Sequence, residues 1–304
     1  MGWTASDLPS QQGRTAVVTG VGGLGYETAL ALAQAGAEVI VAGRNAAKGE
    51  QALARIRAEV PQAQVAFEMV DLASLASVAA LAERLGRSHG RLDLLVNNAG
   101  VMAPPARQTT LDGFELQFGV NYLAHFALTA HLLPLLRNGS GPRVVNVSSL
   151  AHRQGQIDFD DLQTERPYKP FRAYSRSKLA QVIFTLELQR RSTAKGWGLT
   201  CLAAHPGVAA TDLITNGQGA NSLMSRAMDL MQAWLWQSAA AGALPILYAA
   251  TALEAAGGAL YGPDGFLEMK GAPRRVPIAA AAKPPQVAAR LWEMSEQLAG
   301  VQLG

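Results

Sequence analysis

Cysteine is nearly absent from this 304-residue chain, where Cys201 stands alone. One thiol cannot close an intrachain disulfide, and no metal constellation can be built around it, so no metal site is expected. Cys201 lies in the apolar run Leu199 to Ala204, which reads as a buried strand. Charge is also sparse: Asp, Glu, Lys and Arg make up 16% of the residues, and the net charge is +3. The densest late basic spot is Arg274-Arg275. No Lys/Arg run is long enough to track a phosphate backbone, which argues against nucleic acid as a partner. Long hydrophobic runs are missing too. No uninterrupted apolar stretch reaches about 18 residues, and Met1 to Gln12 is polar, with no apolar signal core. A soluble, cytoplasmic protein without a transmembrane segment is the expectation.

What is present is apolar mass. Hydrophobic residues are 49% of the chain, enough for a large core and too many for disorder. Short β-branched runs alternate with Ala/Leu-rich stretches. Strands are expected at Thr15–Thr19, Glu38–Ala42, Gln64–Val70, Leu92–Asn97, Arg143–Ser148, Leu199–Ala204 and Ala259–Tyr261. Helices are expected near 24–35, 46–59, 75–88, 111–136 and 173–194. Continuous runs such as Val39-Ile40-Val41 suggest strands buried on both faces. The alternation implies an α/β fold: a single-domain, doubly wound parallel sheet of about seven strands with flanking helices. No linker or internal repeat divides it. Residues 13–210 read as a cofactor-binding and catalytic core, 211–258 as helices outside the repeating unit, and 259–304 as a closing strand and helix. The run Ala279–Ala282 reads as a loop before that last helix.

Strand Thr15–Thr19 leads directly into Gly20-Val21-Gly22-Gly23-Leu24-Gly25. This is a G-x-G-x-x-G pattern with glycines at 20, 22 and 25, and it opens a helix. The first glycine permits a tight turn, the second lets the backbone approach a pyrophosphate, and the third allows helix to pack on strand. The helix N-terminus presents free N–H groups to the phosphates. After the second strand the chain reads Ala42-Gly43-Arg44-Asn45. No carboxylate stands there to take a ribose 2′-hydroxyl. Arg44 offers a permanent planar cation to a 2′-phosphate instead, so NADP(H) is preferred and NAD(H) remains open.

Tyr174 and Lys178 are four apart on an expected helix and share a face. An ammonium beside a phenol lowers the phenol's pKa and suits it to acid/base work. Three strand ends surround this pair: Asn97-Asn98-Ala99-Gly100, Asn146-Val147-Ser148-Ser149 and His205-Pro206-Gly207. Carboxyl ends of strands line the ligand crevice of a doubly wound sheet, so these segments should converge near the glycine loop. Ser148 and Ser149 point to opposite faces, and only one can meet a substrate. His152 and His205 read as structural.

Together these residues resemble the short-chain dehydrogenase/reductase family, retinol-dehydrogenase-like branch, along nearly the whole chain. The likeness rests on the glycine loop, Asp71-Leu72, Asn97 to Gly100, Asn121, Ser149, Tyr174 with Lys178, and Pro206-Gly207 through Thr211. Branch-like stretches are Asp112 to Glu115, Asn121 to Phe126 and Tyr261 to Gly265. The resemblance implies that Tyr174 is the general acid in reduction and the base in oxidation. It implies that Lys178 lowers the Tyr174 pKa and bonds the nicotinamide ribose. Ser149, the serine that matches the family pattern, holds the substrate oxygen, and Asn121 anchors a water next to Lys178. Asp71 and Leu72 border the adenine, and Asn97, Asn98, Ala99 and Gly100 the adenosine side. Val208 and Thr211 hold carboxamide and phosphates. The loop from Thr19 to Gly25 is one residue shorter than the family's Thr-Gly-x-x-x-Gly-x-Gly, which leaves Arg44 as the main determinant of NADP preference.

Met224, Met228, Met231 and Leu235 recur at helical spacing. They read as a core or dimer-facing stripe, or as an apolar lid for a bulky apolar carbonyl/alcohol substrate. A homo-oligomer is usual for the family, but the retinol-dehydrogenase-like branch includes monomers. A non-catalytic dinucleotide sensor is the alternative, and the set Asn121, Ser149, Tyr174 and Lys178 opposes it. A light-driven reductase of the protochlorophyllide type would need a lid cysteine as proton donor, and Cys201 is not placed for that.

Overall fold

The computed structural model describes residues 2–209 and 237–304. Eight strands form one sheet: β1 (Thr15–Thr19), β2 (Glu38–Gly43), β3 (Val65–Met69), β4 (Leu94–Asn97), β5 (Arg143–Val147), β6 (Thr200–Ala204), β7 (Leu260–Pro263) and β8 (Pro273–Val276). Their order is β3-β2-β1-β4-β5-β6-β7-β8. All neighbours are parallel except β7 and β8. The antiparallel β8 is one strand more than the sequence pattern shows. Its two central residues, Arg274 and Arg275, are exposed, so it carries no apolar run to announce it.

The helices are α1 (Gly23–Gln34), α2 (Ala46–Glu59), α3 (Leu75–Ser88), α4 (Leu116–Phe118), α5 (Ala124–Arg137), α6 (Pro170–Lys195), α7 (Ala239–Thr251) and α8 (Pro285–Ala299). They lie on both faces of the sheet, because its central strands are apolar on both sides. Val17, Leu95 and Val144 face one core with α3, α5, α6 and α8. Their neighbours Val18, Val96 and Val145 face the other with α1, α2 and α7. This is the period-2 alternation of a strand buried twice over. Cys201 is fully buried in β6, where burial pushes its thiol up, far from a reactive thiolate. Among the described residues no helix is long and apolar enough to cross a membrane.

One expected helix is broken. The span 111–136 begins instead with a turn, in which Gly113 has φ +87° and donates to Thr110 O. Glu115 then caps the next turn, accepting from Gln117 N at 3.0 Å and Phe118 N at 2.7 Å. A π turn, Gly119–Leu123, separates α4 from α5. Such a bulge rotates the side chains that follow it, and Asn121 sits inside it. The run Ala280–Ala282 forms a short 3-10 turn rather than a plain loop.

Strand order reverses between β1 and β4. From β1 the chain winds outward through β2 and β3, and β4 restarts on the other side of β1. Loops leaving the carboxyl ends of β1 and β4 therefore diverge and open a crevice between them.

Candidate active site

That crevice holds two connected cavities. One, of about 560 Å³, is lined by Gly20, Gly22, Gly23, Leu24, Asn98, Ser149, Tyr174, Lys178 and Pro206 to Ala209, among others. The second, of about 630 Å³, is lined by Arg44, Asn45, Lys48, Asp71 and Leu72, among others. Gly20, Ala99, Gly100 and Met102 border both, so a single cleft runs from Arg44 to Tyr174.

The glycine loop uses one glycine beyond the three of the pattern. Left-handed φ values occur at Gly20 (+101°) and Gly23 (+49°). Gly22 is extended at φ −135° and is the N-cap of α1. A Cβ on Gly25 would lie 2.3 Å from Gly20 O, so Gly25 packs helix against loop and does not line the cleft. No side chain caps α1, which leaves its amide end open to an anion.

Asn97 is a correction. It is fully buried, and its amide donates to Asn146 Oδ1 at 2.9 Å and Thr129 Oγ1 at 3.2 Å. Asn97 is register partner to Asn146 in β5, so the pair ties strands together inside the core. Asn98, one residue on, does line the cleft, and its amide is anchored on Thr19 O at 2.7 Å. Asp71 borders the second cavity with Oδ1 accepting from Ala73 N. Thr211 and the Met224, Met228, Met231 and Leu235 stripe lie outside the described residues.

At the cleft floor, Tyr174 and Lys178 stand on α6 as expected, with Lys178 Nζ 5.7 Å from the Tyr174 ring centroid. Their electrostatics differ from expectation. Burial raises the Tyr174 pKa, and a hydrogen bond with Ser149 only partly offsets it. Burial also pulls Lys178 down to about 7. With its pKa near 7, Lys178 is only partly protonated at neutral pH, which limits the positive charge it offers the phenol. Lys178 Nζ donates to Val147 O at 2.9 Å and to Gln181 Oε1 at 3.0 Å. In its ammonium form, with three hydrogens and two donated, one remains for a ligand. Both Ser148 and Ser149 border the cavity, but the Ser148 hydroxyl donates to Lys178 O, which leaves the Ser149 hydroxyl for a substrate.

Asn121 grips the chain beyond β4. Its Oδ1 accepts from Val101 N at 2.7 Å, and its Nδ2 donates to Val101 O and Ser177 Oγ, both at 2.9 Å. A Cβ on Gly100 would come within 3.0 Å of Asn121 Oδ1 and 3.7 Å of Lys178 Nζ. The missing side chain is therefore what keeps the floor open. The open helix end, this bare stretch and the exposed cations of Arg44 and Lys48 fit a dinucleotide laid along the cleft.

Residue patterns missed His125. Its Nδ1 lies 3.0 Å from Asn121 O, which can only accept, so Nδ1 carries the proton. Nε2 must then accept, from Thr19 Oγ1 at 3.0 Å. Thr19 Oγ1 in turn accepts from Asn98 N and Ala99 N. Burial pulls His125 down to about 4, which keeps it neutral in this relay. Lys48, Met102 and Phe171 were missed as well. Only Lys48 left a trace in the sequence, its i,i+4 spacing from Arg44.

Residues 14–220 match the short chain dehydrogenase family. Retinol dehydrogenase 13 of Mus musculus is 43% identical over 296 residues, covering 96% of this chain and 85% of the relative. Polyprenol dehydrogenase of Mus musculus is 40% identical over 301 residues, covering 96% and 86%. Among solved structures, the RhlG/NADP active-site complex of Pseudomonas aeruginosa aligns with a TM-score of 0.66 at 26% identity, over 83% of this chain and 94% of that one.

The neutral relay makes stability depend on acid. An unfolded histidine takes up its proton near 6.5, whereas folded His125 resists until about 4. Stability is therefore expected to fall as pH drops from about 6.5 to 4, by up to about 3 kcal/mol from this residue alone. Urea unfolding at pH 7 and pH 5 checks this. His125→Gln should flatten the slope, and His131, His152 and His205, which burial also lowers, contribute to what remains.

Proposed function

The chain belongs to the short-chain dehydrogenase family and is an NAD(P)-dependent oxidoreductase, and within that frame we propose an NADP-linked enzyme that interconverts a bulky apolar carbonyl and its alcohol. The observation that carries the catalytic reading is the cleft floor. There Tyr174, Ser149 and Lys178 line one cavity with the open end of α1. When bound in this cleft, a nicotinamide dinucleotide would supply the hydride.

The protein's part is proton transfer and positioning. Tyr174, its pKa raised by burial, stands protonated at neutral pH, the state needed to give a proton to a carbonyl oxygen. Ser149 donates a hydrogen bond to the same oxygen as it gains negative charge. The third hydrogen of Lys178 is free for a ribose hydroxyl, and Asn121 holds the chain beside it. In the reverse direction the alcohol proton passes to Tyr174 in its phenolate form. Proton and hydride together reduce C=O to CH–OH.

Three neighbours support the NADP preference. Arg44 and Lys48 are exposed on one rim of the second cavity, and Asn45 between them caps α2 through Lys48 N at 2.9 Å. Two cations at one helix start suit a 2′-phosphate, and the RhlG complex bears NADP in its active site. A bulky apolar substrate suits the first cavity, whose lining includes Met102, Leu150 and the half-exposed Phe171. Relatives named for retinol and polyprenol oxidation agree with such a wall.

Two experiments test this reading. Tyr174→Phe is expected to cost about 100- to 10,000-fold in rate while NADPH still binds; an unchanged rate would remove the catalytic role. NADPH and NADH titrations followed by fluorescence test the rim. Arg44→Met with Lys48→Met should weaken NADPH by about tenfold or more and leave NADH nearly unchanged. Tighter binding of NADH than NADPH by the wild type would refute the preference.

A further inference from the structure

The hairpin joining β7 to β8 is built against the usual rules of polarity. Phe266 is 81% exposed and Leu267 65%, while Glu268 beside them is 7% exposed. Two apolar side chains thus face outward and a carboxylate faces inward. The backbone is unusual at the same place. Leu267 and Glu268 both have left-handed φ, +50° and +58°, a region that side-chain-bearing residues rarely enter. Consecutive strain of this kind persists only where surrounding contacts over-determine it, and it gathers at functional sites.

The buried carboxylate explains the inversion. Glu268 Oε2 accepts from His205 Nε2 at 3.0 Å and from Arg153 at 2.7 Å. His205 Nδ1 accepts from Gly207 N at 3.1 Å, which fixes its proton on Nε2, toward Glu268. The hydrogen bond from His205, with the Arg153 cation adding to it, holds Glu268 down at about 2, so it stays charged at working pH. The same hairpin reaches the cleft by its backbone. Met269 O accepts from Val208 N at 2.8 Å, and a Cβ on Gly207 would strike Met269 O at 2.3 Å. On the other side, Arg153 belongs to the 3-10 turn Leu150–Gln154, which Ser149 begins.

Glu268 therefore grips both walls of the catalytic cleft from outside it: the Pro206–Val208 segment through His205, and the Ser149 turn through Arg153. It lines neither cavity. We propose that Glu268 is a positioning residue that sets the distance between these two walls, and so the alignment of nicotinamide and substrate oxygen. This rests on the cleft being the catalytic one.

The test uses the full chain, NADPH fluorescence and reduction of an apolar aldehyde such as retinal. Circular dichroism and melting verify folding at the assay temperature. Glu268→Ala is expected to raise the NADPH Kd and lower kcat, each by about tenfold, since misplacement of about 1 Å is enough for such losses. Glu268→Gln keeps an oxygen for His205 and should recover most of both. Should Glu268→Ala not fold, Arg153→Met removes one anchor from a partly exposed position and should raise the NADPH Kd by about threefold. A folded Glu268→Ala or Arg153→Met that melts lower yet keeps both constants within about twofold of wild type would overturn the proposal. Tyr174→Phe, run alongside, separates the two claims. A rate unaffected there overturns the catalytic reading, whereas loss there with an unaffected Glu268→Ala overturns only the positioning role.

Discussion

The hydroxyl of Thr19 sits where the sheet reverses its order, and the cleft depends on it. Two parallel strands end side by side and their loops diverge, so the backbone amides just beyond β4 lose their ladder partners. Buried amides without acceptors are costly. Thr19 Oγ1 accepts from both Asn98 N and Ala99 N, while Thr19 O accepts from the Asn98 side chain. Its own proton goes to His125, and through His125 the knot reaches the backbone of Asn121. One threonine thereby joins the glycine loop, the turn beyond β4 and the π turn. Those are the three segments that a dinucleotide and a proton donor must share.

Around this knot the protein concentrates desolvated polar groups. Lys178, Tyr174 and His125 are all buried, and burial shifts each toward its neutral form. An isolated domain has little reason to keep an ammonium there. A cleft that receives phosphates, hydroxyls and a carbonyl does, because these ligands return to the buried groups the partners that water would have supplied. The same economy appears on the far side of the cleft, where His205, Arg153 and Glu268 satisfy one another.

Strands and the first three helices were legible because hydrophobic periodicity reports burial directly. Thr15–Thr19 and 46–59 needed no adjustment. Legibility failed where a single polar contact decides the backbone. The span 111–136 reads as one amphipathic helix, but Gly113 and the Glu115 cap start it late and the π turn interrupts it. β8 was invisible because two arginines occupy its exposed centre. Within the site, spacing picked out Tyr174, Lys178 and the glycine loop, and the family resemblance picked out Ser149. The resemblance misplaced Asn97, since a strand-end asparagine can turn to its neighbour strand as easily as to a ligand. Sign and size of pKa shifts were not legible at all, because they follow from burial rather than from neighbours in sequence. Nor were His125 and Glu268, because Thr19, His205 and Arg153, which they bond, lie far away along the chain.

Hydride transfer itself is the central claim, and isotope transfer tests it most directly. NADPH carrying deuterium at both C4 positions of the nicotinamide is incubated with the protein and an apolar aldehyde, and the alcohol is analysed by mass spectrometry. The account predicts one deuterium on the carbinol carbon of the product, delivered about 100- to 10,000-fold more slowly when Tyr174→Phe replaces the wild type. Alcohol formed without deuterium, or no alcohol from any apolar carbonyl while NADPH binds normally, would contradict it.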